Sequence, residues 1–546
     1  MAAAPVGGAA AAADEKVRLQ LFFRAEGLMD KDTTSKSDPY LLLTQRTDRG
    51  GTIPIGKTEI IKNDLNPKWK VGFAVDFFFE MKQEFMVSIY DDDGKGPAGD
   101  DALGQAVFQL AHVVGSQGAR GGFKTKIAGG DGFIFIVSQE VSQSKRDTVV
   151  MQFAGRELRK MDTFGQSDPY FRLLRVNPNG TSSQIYLSKV IPKTLEPVWD
   201  VCPTFKISEL TGTDRNAKTL RFEMFDKDMF KDDSMGWFDF SFNDLLEVGA
   251  GRKTFEPRKP HKPDNRYGTI FLKQFRVNTV PTFLDYLRGG MQMNLMVSID
   301  FTGSNGDPAQ PTSLHYMNPV QPNQYVRAIM SVGDILMEYD TDKQVPAFGF
   351  GARLPDGNVN MCFHLNFEQN PYVPGVQGVL DCYGRALASV RLSGPTNFAP
   401  TIATANRLSR SSPGVYTVLL ILTDGDITDM GDTVNAICGC DDAPLSIVIV
   451  GVGNGCDFAL MDQLDADKVP LQNSQGRTCR RDLVQFVPFR NFGNAPPAAL
   501  AAEVLREIPD QVVDWAILTK YTAPLQQAAA SMAPVAGTAP VCAPAA

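Results

Sequence analysis

Histidine is scarce in this chain: His112, His261, His315 and His364 are the only four among 546 residues, and no G-x-S-x-G elbow occurs. A histidine-based nucleophilic triad therefore has little to stand on. Long apolar runs are missing too. VYTVLLIL and PLSIVIVGVG have the length of sheet strands, well short of the roughly 20 residues that cross a bilayer. Positive charge is in deficit, with 54 Lys and Arg against 62 Asp and Glu, which removes the electrostatic basis for nucleic-acid binding. Eight cysteines, six of them irregularly spaced between Cys362 and Cys479, do not read as a disulfide framework and fit a reducing cytoplasm. The Cys438-Gly439-Cys440 spacing is too short for a zinc knuckle with Cys456 and Cys479, so free thiols are expected. The first 15 residues lack the basic and apolar regions of a signal peptide and read as a flexible leader.

What is present is a folded composition, 43% hydrophobic and 21% charged, in a chain too long for one hydrophobic core. Residues 16–141 carry short alternating segments, among them VRLQLFF, PYLLLTQ, GKTEIIK, FMVSIYD and GFIFIVSQE, separated by Gly, Pro and Asp clusters. That rhythm predicts an antiparallel β-sandwich. The same order returns over residues 147–277 as VVMQFAG, PYFRLLRV, IYLSKVI, TLRFEMFD, WFDFSF and GTIFLKQF. Asn66-Pro67-Lys68-Trp69 answers Glu196-Pro197-Val198-Trp199, which marks a duplicated domain. Over residues 278–522 the pattern changes to buried strands of parallel type (NLMVSIDF, AFGFGA, YTVLLILTDG, PLSIVIVGVG). Helical periods lie between them, and AALAAEVLREIPDQVVDW closes a doubly wound α/β domain. Residues 523–546 are Ala/Pro-rich, with nothing to bury, and are expected to be disordered.

The duplicated domains share an acidic signature. DKDTTSKSDPY holds Asp32 and Asp38, and MDTFGQSDPY holds Asp162 and Asp168; the six-residue spacing selects Asp32 over Asp30. A second acidic loop follows in each copy, with Asp91, Asp93 and Asp101 in the first and Asp226, Asp228 and Asp233 in the second. Asp101 and Asp233 are chosen for a shared D-x-x-G exit. Calcium takes six to eight oxygens in flexible geometry, and two carboxylate loops per domain supply most of them. A single D-x-D would be no more than an Asp-rich turn; two matched sets of five point to Ca²⁺ in both domains. Copy two also carries Phe164, Met229 and Phe230 at its loop tips, apolar groups placed to enter a membrane interface, where copy one has Thr33, Thr34 and Lys95. The competing reading packs Phe164 and Phe230 under their own loops.

A third constellation opens the α/β region. Asp300-Phe-Thr302-Gly-Ser304 follows the first strand at the end where open sheets bind ligands. Thr396 and Asp424 come at later strand ends. Two carboxylates and three hydroxyls suit an octahedral Mg²⁺ or Mn²⁺ with a position left open. Gly51-Thr-Ile-Pro-Ile-Gly56-Lys57-Thr58 satisfies a phosphate-loop pattern, but it lacks a buried strand before it and a helix after it, so it reads as a hairpin connection.

The acidic loops resemble those of C2 domains, and Asp300, Thr302, Ser304, Thr396 and Asp424 resemble the metal-ion-dependent adhesion site of von Willebrand factor A domains. Together, and with SLHYMNP, YDTDKQVPAFGFGA, GPTNFAP and RDLVQFVPFR, they are similar to the copine family. That resemblance implies two all-β C2 sandwiches followed by an α/β A domain, without enzymatic activity. It also implies calcium-dependent binding to anionic phospholipids and recruitment of a protein partner through the A domain. The chain would then be cytoplasmic, associating with the plasma membrane or other membranes in calcium signalling or membrane trafficking. Two alternatives remain: a calcium-insensitive scaffold acting through the A domain, and a lipid-hydrolysing enzyme, for which no nucleophile or base is evident.

Overall fold

A computed structural model describes residues 17–32, 35–47, 50–116, 122–141, 146–161, 165–177, 181–211, 215–259, 261, 265–425, 427–455, 458–466, 469–493 and 495–524. Two compact units result: residues 1–141 with 283–546, and residues 142–282.

In the first unit, strand Val17–Glu26 alternates in burial, turning Leu19, Leu21, Phe23 and Ala25 inward, as the period of two requires. It lies between Phe73–Phe77 and Phe133–Glu140, with Phe123–Lys126 at the edge. The facing sheet runs Thr52–Lys57, Pro39–Arg46, Glu84–Asp91, Ala102–Gln109. Two antiparallel four-stranded sheets thus sandwich one core. The phosphate-loop look-alike is itself the strand Thr52–Lys57, paired with Pro39–Arg46, and Thr47 N–H donates to Gly51 O. The strand expected over GKTEIIK lies earlier for that reason.

Beyond Phe283 the first unit becomes α/β. Five strands run parallel in the order Gln344–Phe350, Gln292–Asp300, Val415–Thr423, Leu445–Gly451, Val484–Pro488. Phe363–His364 and Tyr372–Pro374 pair antiparallel with the first of these. The chain leaves Gln292–Asp300 to one side and later returns on the other, so the sheet reverses its winding beside Asp300. AALAAEVLREIPDQVVDW is two helices, Pro497–Leu505 and Ile508–Thr519. Pro509 lacks an N–H and disfavours helical backbone before it, which breaks the run.

The cysteines depart from expectation. Cys438 and Cys479 form a disulfide with a Cα–Cα separation of 5.0 Å. Residues 469–483 fold back over the end of helix Met430–Cys438, where Arg477 reaches Asp441 at 2.7 Å. Sequence spacing could not show that approach. Cys202, Cys362, Cys382 and Cys440 are free, and Cys456 lies outside the described residues.

The second unit repeats the sandwich. Ser182–Leu187, Pro169–Val176, Leu220–Asp226 and Asp233–Phe240 face a three-stranded sheet of Phe205–Lys206, Thr148–Arg156 and Thr269–Asn278. Its centre is aromatic: Phe222 stacks on Phe171 at 4.4 Å and on Phe238 at 5.1 Å, with Trp199 edge-on to Phe171 at 5.0 Å.

Candidate functional sites: two acidic loop sets and a strand-end oxygen cluster

Each letter of the repeated SDPY has a structural task. Ser37 and Ser167, both fully buried, accept from the backbone N–H of Lys31 and Met161 at 2.9 Å and tie together the two ends of the preceding acidic segment. Asp38 and Asp168 donate their backbone N–H to Asp91 Oδ1 and Asp226 Oδ1, both at 2.6 Å. Pro39 pairs in register with Asp91, and Pro169 with Asp226. The proline carbonyls accept from the indoles of Trp69 and Trp199 at 3.3 and 3.2 Å, which accounts for the matched Pro-x-Trp segments. Tyr40 donates to Asp100 at 2.8 Å and Tyr170 to Asp232 at 2.6 Å.

Asp100 and Asp232 are residues that sequence reasoning missed. Desolvation works to raise the Asp100 carboxyl, but the Tyr40 hydroxyl and the N–H groups of Lys95 and Asp93 hold it low. Asp232 is lowered by Tyr170 and by Lys227. Both carboxylates organise their loops. In each copy the residue is the Asp immediately before the chosen Asp101 or Asp233, and the sequence alone does not tell the two neighbours apart.

In the first sandwich Asp91 is buried, and Asp38 Oδ1 accepts from Asn63 N–H at 2.7 Å, with Lys62 at 4.0 Å. Asp93 is exposed, with Lys95 at 3.7 Å. Asp101 is exposed, and its main-chain oxygen accepts from Asp91 N–H. Asp32 takes a hydrogen bond from Ser35 at 2.8 Å, and Asp30 one from Ser37 N–H at 3.2 Å.

In the second sandwich Asp226 is fully buried and its Oδ2 has no partner among the described residues. Asp168 Oδ1 accepts from Lys193 N–H at 2.6 Å, and Asp233 pairs in register with Asp226. Asp228 shows the crowding: desolvation and then the charges of Asp226, Asp233, Asp232 and Asp168 raise its pKa. Met229 and Phe230 stand 91% and 96% exposed beside it. They do not pack under their loop. Asp162 and Phe164 lie outside the described residues.

The shared D-x-x-G exit has a backbone cause. Gly104 and Gly236 adopt φ of +133° and +97°, and a Cβ there would meet Ile127 Cγ2 at 2.4 Å or Arg258 N at 2.8 Å. Both stand beside register shifts in their ladders, so the glycine serves a bulge.

The α/β site sits where the sheet reverses, the place open sheets offer to ligands. Asp300 is fully buried; its Oδ1 accepts from Thr302 N–H and its Oδ2 from the Thr423 hydroxyl, each at 2.7 Å. The Thr302 and Ser304 hydroxyls lie 2.9 Å apart, and Ser304 donates to Asp424 Oδ1 at 2.9 Å. Burial, then the neighbouring Asp424, push the Asp300 carboxyl up to about 7; burial raises Asp424 as well. Gly303 N–H donates to Ser393 O at 2.7 Å, which draws the 393–396 loop alongside, and Thr396 O accepts from Thr428 N–H at 2.8 Å. Asp300, Thr302, Ser304 and Asp424 are thus one hydrogen-bonded set, with Thr396 on the adjoining loop. His315 is buried behind it, bonded to Tyr383 at 2.7 Å and stacked on Tyr325, and burial lowers its pKa to about 3. It is a neutral core histidine.

Among the described residues no group of three or more His, Cys, Asp and Glu is gathered as a metal-holding cluster. Bare carboxylates repel one another. The donor chemistry nevertheless suits a hard cation: the donors are all oxygen, and the buried Asp226 Oδ2 has no partner among the described residues. Among those residues, too, no helix is long and apolar enough to cross a membrane.

Comparison with known proteins gives these sites a family. A C2 domain model matches residues 19–125 and 147–257, and a Copine model matches residues 313–523. The chain belongs to the copine family. Solved structures similar to parts of this copine include "BON1-C2B" (17% identity, 25% of this chain and 94% of that one, TM-score 0.22). Another is "Extended-Synaptotagmin 2, C2A- and C2B-domains, calcium bound" (20% identity, 48% and 97%, TM-score 0.20). Human GIVD cytosolic phospholipase A2 is a third (12% identity, 62% and 46%, TM-score 0.19). The copine is built of two C2 sandwiches and an α/β domain. The C2 and Copine domains point to a membrane- and calcium-related function.

Proposed function

We propose that this copine binds anionic phospholipid membranes when calcium rises, through both C2 domains, and recruits a protein partner through its A domain. The observation that carries the reading is the second C2 loop set, where a buried carboxylate oxygen lacks a partner among crowded charges next to two bare apolar side chains. Calcium would be held by Asp162, Asp168, Asp226, Asp228 and Asp233 there, and by Asp32, Asp38, Asp91, Asp93 and Asp101 in the first domain. Bound calcium supplies positive charge that attracts lipid phosphates. Met229 and Phe230, with Phe164, then enter the interface, while the first domain contributes mainly electrostatics. In the A domain Asp300, Thr302, Ser304, Thr396 and Asp424 would hold Mg²⁺ or Mn²⁺ and present it to a partner's carboxylate. The chain would reside in the cytoplasm and move to the plasma membrane or other membranes, serving calcium signalling or membrane trafficking.

Co-sedimentation of the full chain with phosphatidylserine vesicles across a calcium series tests this, with Asp91→Asn/Asp226→Asn for comparison. Calcium-dependent binding lost in the variant is expected. Binding indifferent to both calcium and the substitutions would replace the reading with a calcium-insensitive scaffold acting through the A domain. Cleaved lipid would indicate an enzyme.

A further inference from the structure

The first C2 domain and the A domain are far apart in sequence yet belong to one compact unit, and the contact between them is specific. Phe79, in the turn after strand Phe73–Phe77, is 3% exposed. Its ring lies 4.9 Å from Phe283 and 4.8 Å from Tyr339, both A-domain residues. The Tyr339 hydroxyl donates to Phe79 O at 3.3 Å. Polar and charged groups ring this aromatic plug. Lys82 lies 3.6 Å from Glu338 and 3.9 Å from Asp334, and His112 Nε2 lies 2.8 Å from Glu338. Arg288 faces Glu140 at 3.8 Å and donates to Ser138 at 3.5 Å.

Strand direction says which ends meet. In the C2 domain Phe79 and Lys82 precede strand Glu84–Asp91, whose other end is the acidic loop, and His112 follows strand Ala102–Gln109, which starts at that loop. Glu140 pairs with Leu19, while the acidic end of the same sheet is at Glu26. All of these contacts therefore lie at the end opposite the acidic loops. In the A domain Tyr339 O accepts from Met293 N–H, at the start of strand Gln292–Asp300, while Asp300 is at its finish. Phe283 and Arg288 precede that start. The A domain too is held by the end opposite its oxygen cluster.

We infer that the Phe79–Phe283–Tyr339 seam joins the two domains end to end as one rigid strut, with the acidic loops at one tip and the Asp300 cluster at the other. Strands of eight and nine residues at about 3.3 Å per residue place the tips on the order of 50 Å apart. A bilayer held at the first tip leaves the Asp300 cluster facing away from the lipid, open to a protein partner in the aqueous phase. The last step rests on the proposed membrane function; the strut itself does not.

Two measurements on the full chain separate these. Donor and acceptor dyes are attached through azide-bearing residues at exposed Ala98 and Gln310 and followed by single-molecule energy transfer. One narrow, low-transfer population is expected, broadening in Phe79→Ser and in the milder Lys82→Glu, with Glu338→Lys restoring the narrow state to Lys82→Glu. High transfer, or a wild-type distribution as broad as that of Phe79→Ser, overturns the strut. In the second measurement, phosphatidylserine vesicles with acceptor-labelled headgroups are added with calcium to chains carrying a single donor and Asp226→Asn/Asp228→Asn, so that the first C2 domain does the docking. Transfer several-fold stronger from Ala98 than from Gln310 is expected, and equal transfer overturns the orientation. Absence of vesicle binding by the unsubstituted chain would count against the membrane reading and leave the first measurement to decide the strut, whereas absence in the variant alone would overturn docking through the first tip.

Discussion

The two C2 domains share a frame and differ in their tips. In both, serine ties the ends of the acidic segment, the proline carbonyl takes the tryptophan indole, and tyrosine fixes a structural aspartate. In the first, Lys62 and Lys95 stand beside Asp38 and Asp93. In the second, Asp226 keeps an unpartnered oxygen, Asp228 is crowded by four like charges, and Met229 and Phe230 project bare. The frame sets where carboxylates meet, and the few residues at the apex set how strongly an arriving cation and lipid are rewarded.

The sharpest way to break that contrast is to remove charge from each loop in turn. Asp226→Asn/Asp228→Asn should weaken calcium-dependent vesicle sedimentation by at least about tenfold, since even supporting groups around a metal cost 10–100-fold. Asp91→Asn/Asp93→Asn should cost less. The cores offer a second contrast, read by urea unfolding. Phe222→Ala removes the centre of an aromatic stack and should cost about 3–5 kcal/mol, whereas Val87→Ala at the matching position should cost about 2 kcal/mol. Third, Met229→Ala/Phe230→Ala should leave stability within about 0.5 kcal/mol but remove the salt-resistant part of vesicle binding. Undiminished binding at high salt would assign insertion elsewhere.

The smallest effect is on pH. The folded domain holds the Asp228 proton more tightly than the unfolded chain does, so between the ordinary carboxylate value and the raised one stability falls as pH increases. Asp100 and Asp232 are lowered; what they contribute is present above the ordinary value and is lost as pH falls through the lowered one. Carboxyl titrations by NMR without calcium should show the opposite displacements, and calcium should remove that of Asp228.

Much of this was legible in the residues. Period-two alternation predicted both sandwiches, because one face of each strand must be apolar. Apolar strands alternating with helical periods predicted the α/β sheet for the same reason. Motif order alone brought Asp300, Thr302, Ser304 and Asp424 to strand ends, and the structure joins them by hydrogen bonds. Asp100 and Asp232 were not legible, since nothing local distinguishes an aspartate that meets a tyrosine hydroxyl some 60 residues away from its neighbour facing water. Nor was the Cys438–Cys479 bridge, which depends on a segment folding back across a helix end.

Local pattern and short motifs thus determined the elements, their duplication and the residue types at each site, because side-chain period and turn chemistry act over a few residues. The tertiary structure alone decided which carboxylate oxygen lacks a partner, which aromatic stands bare at a tip, and that Phe79 finds Tyr339 rather than water. Those outcomes depend on long-range packing that brings together groups up to 260 residues apart, which no local pattern encodes.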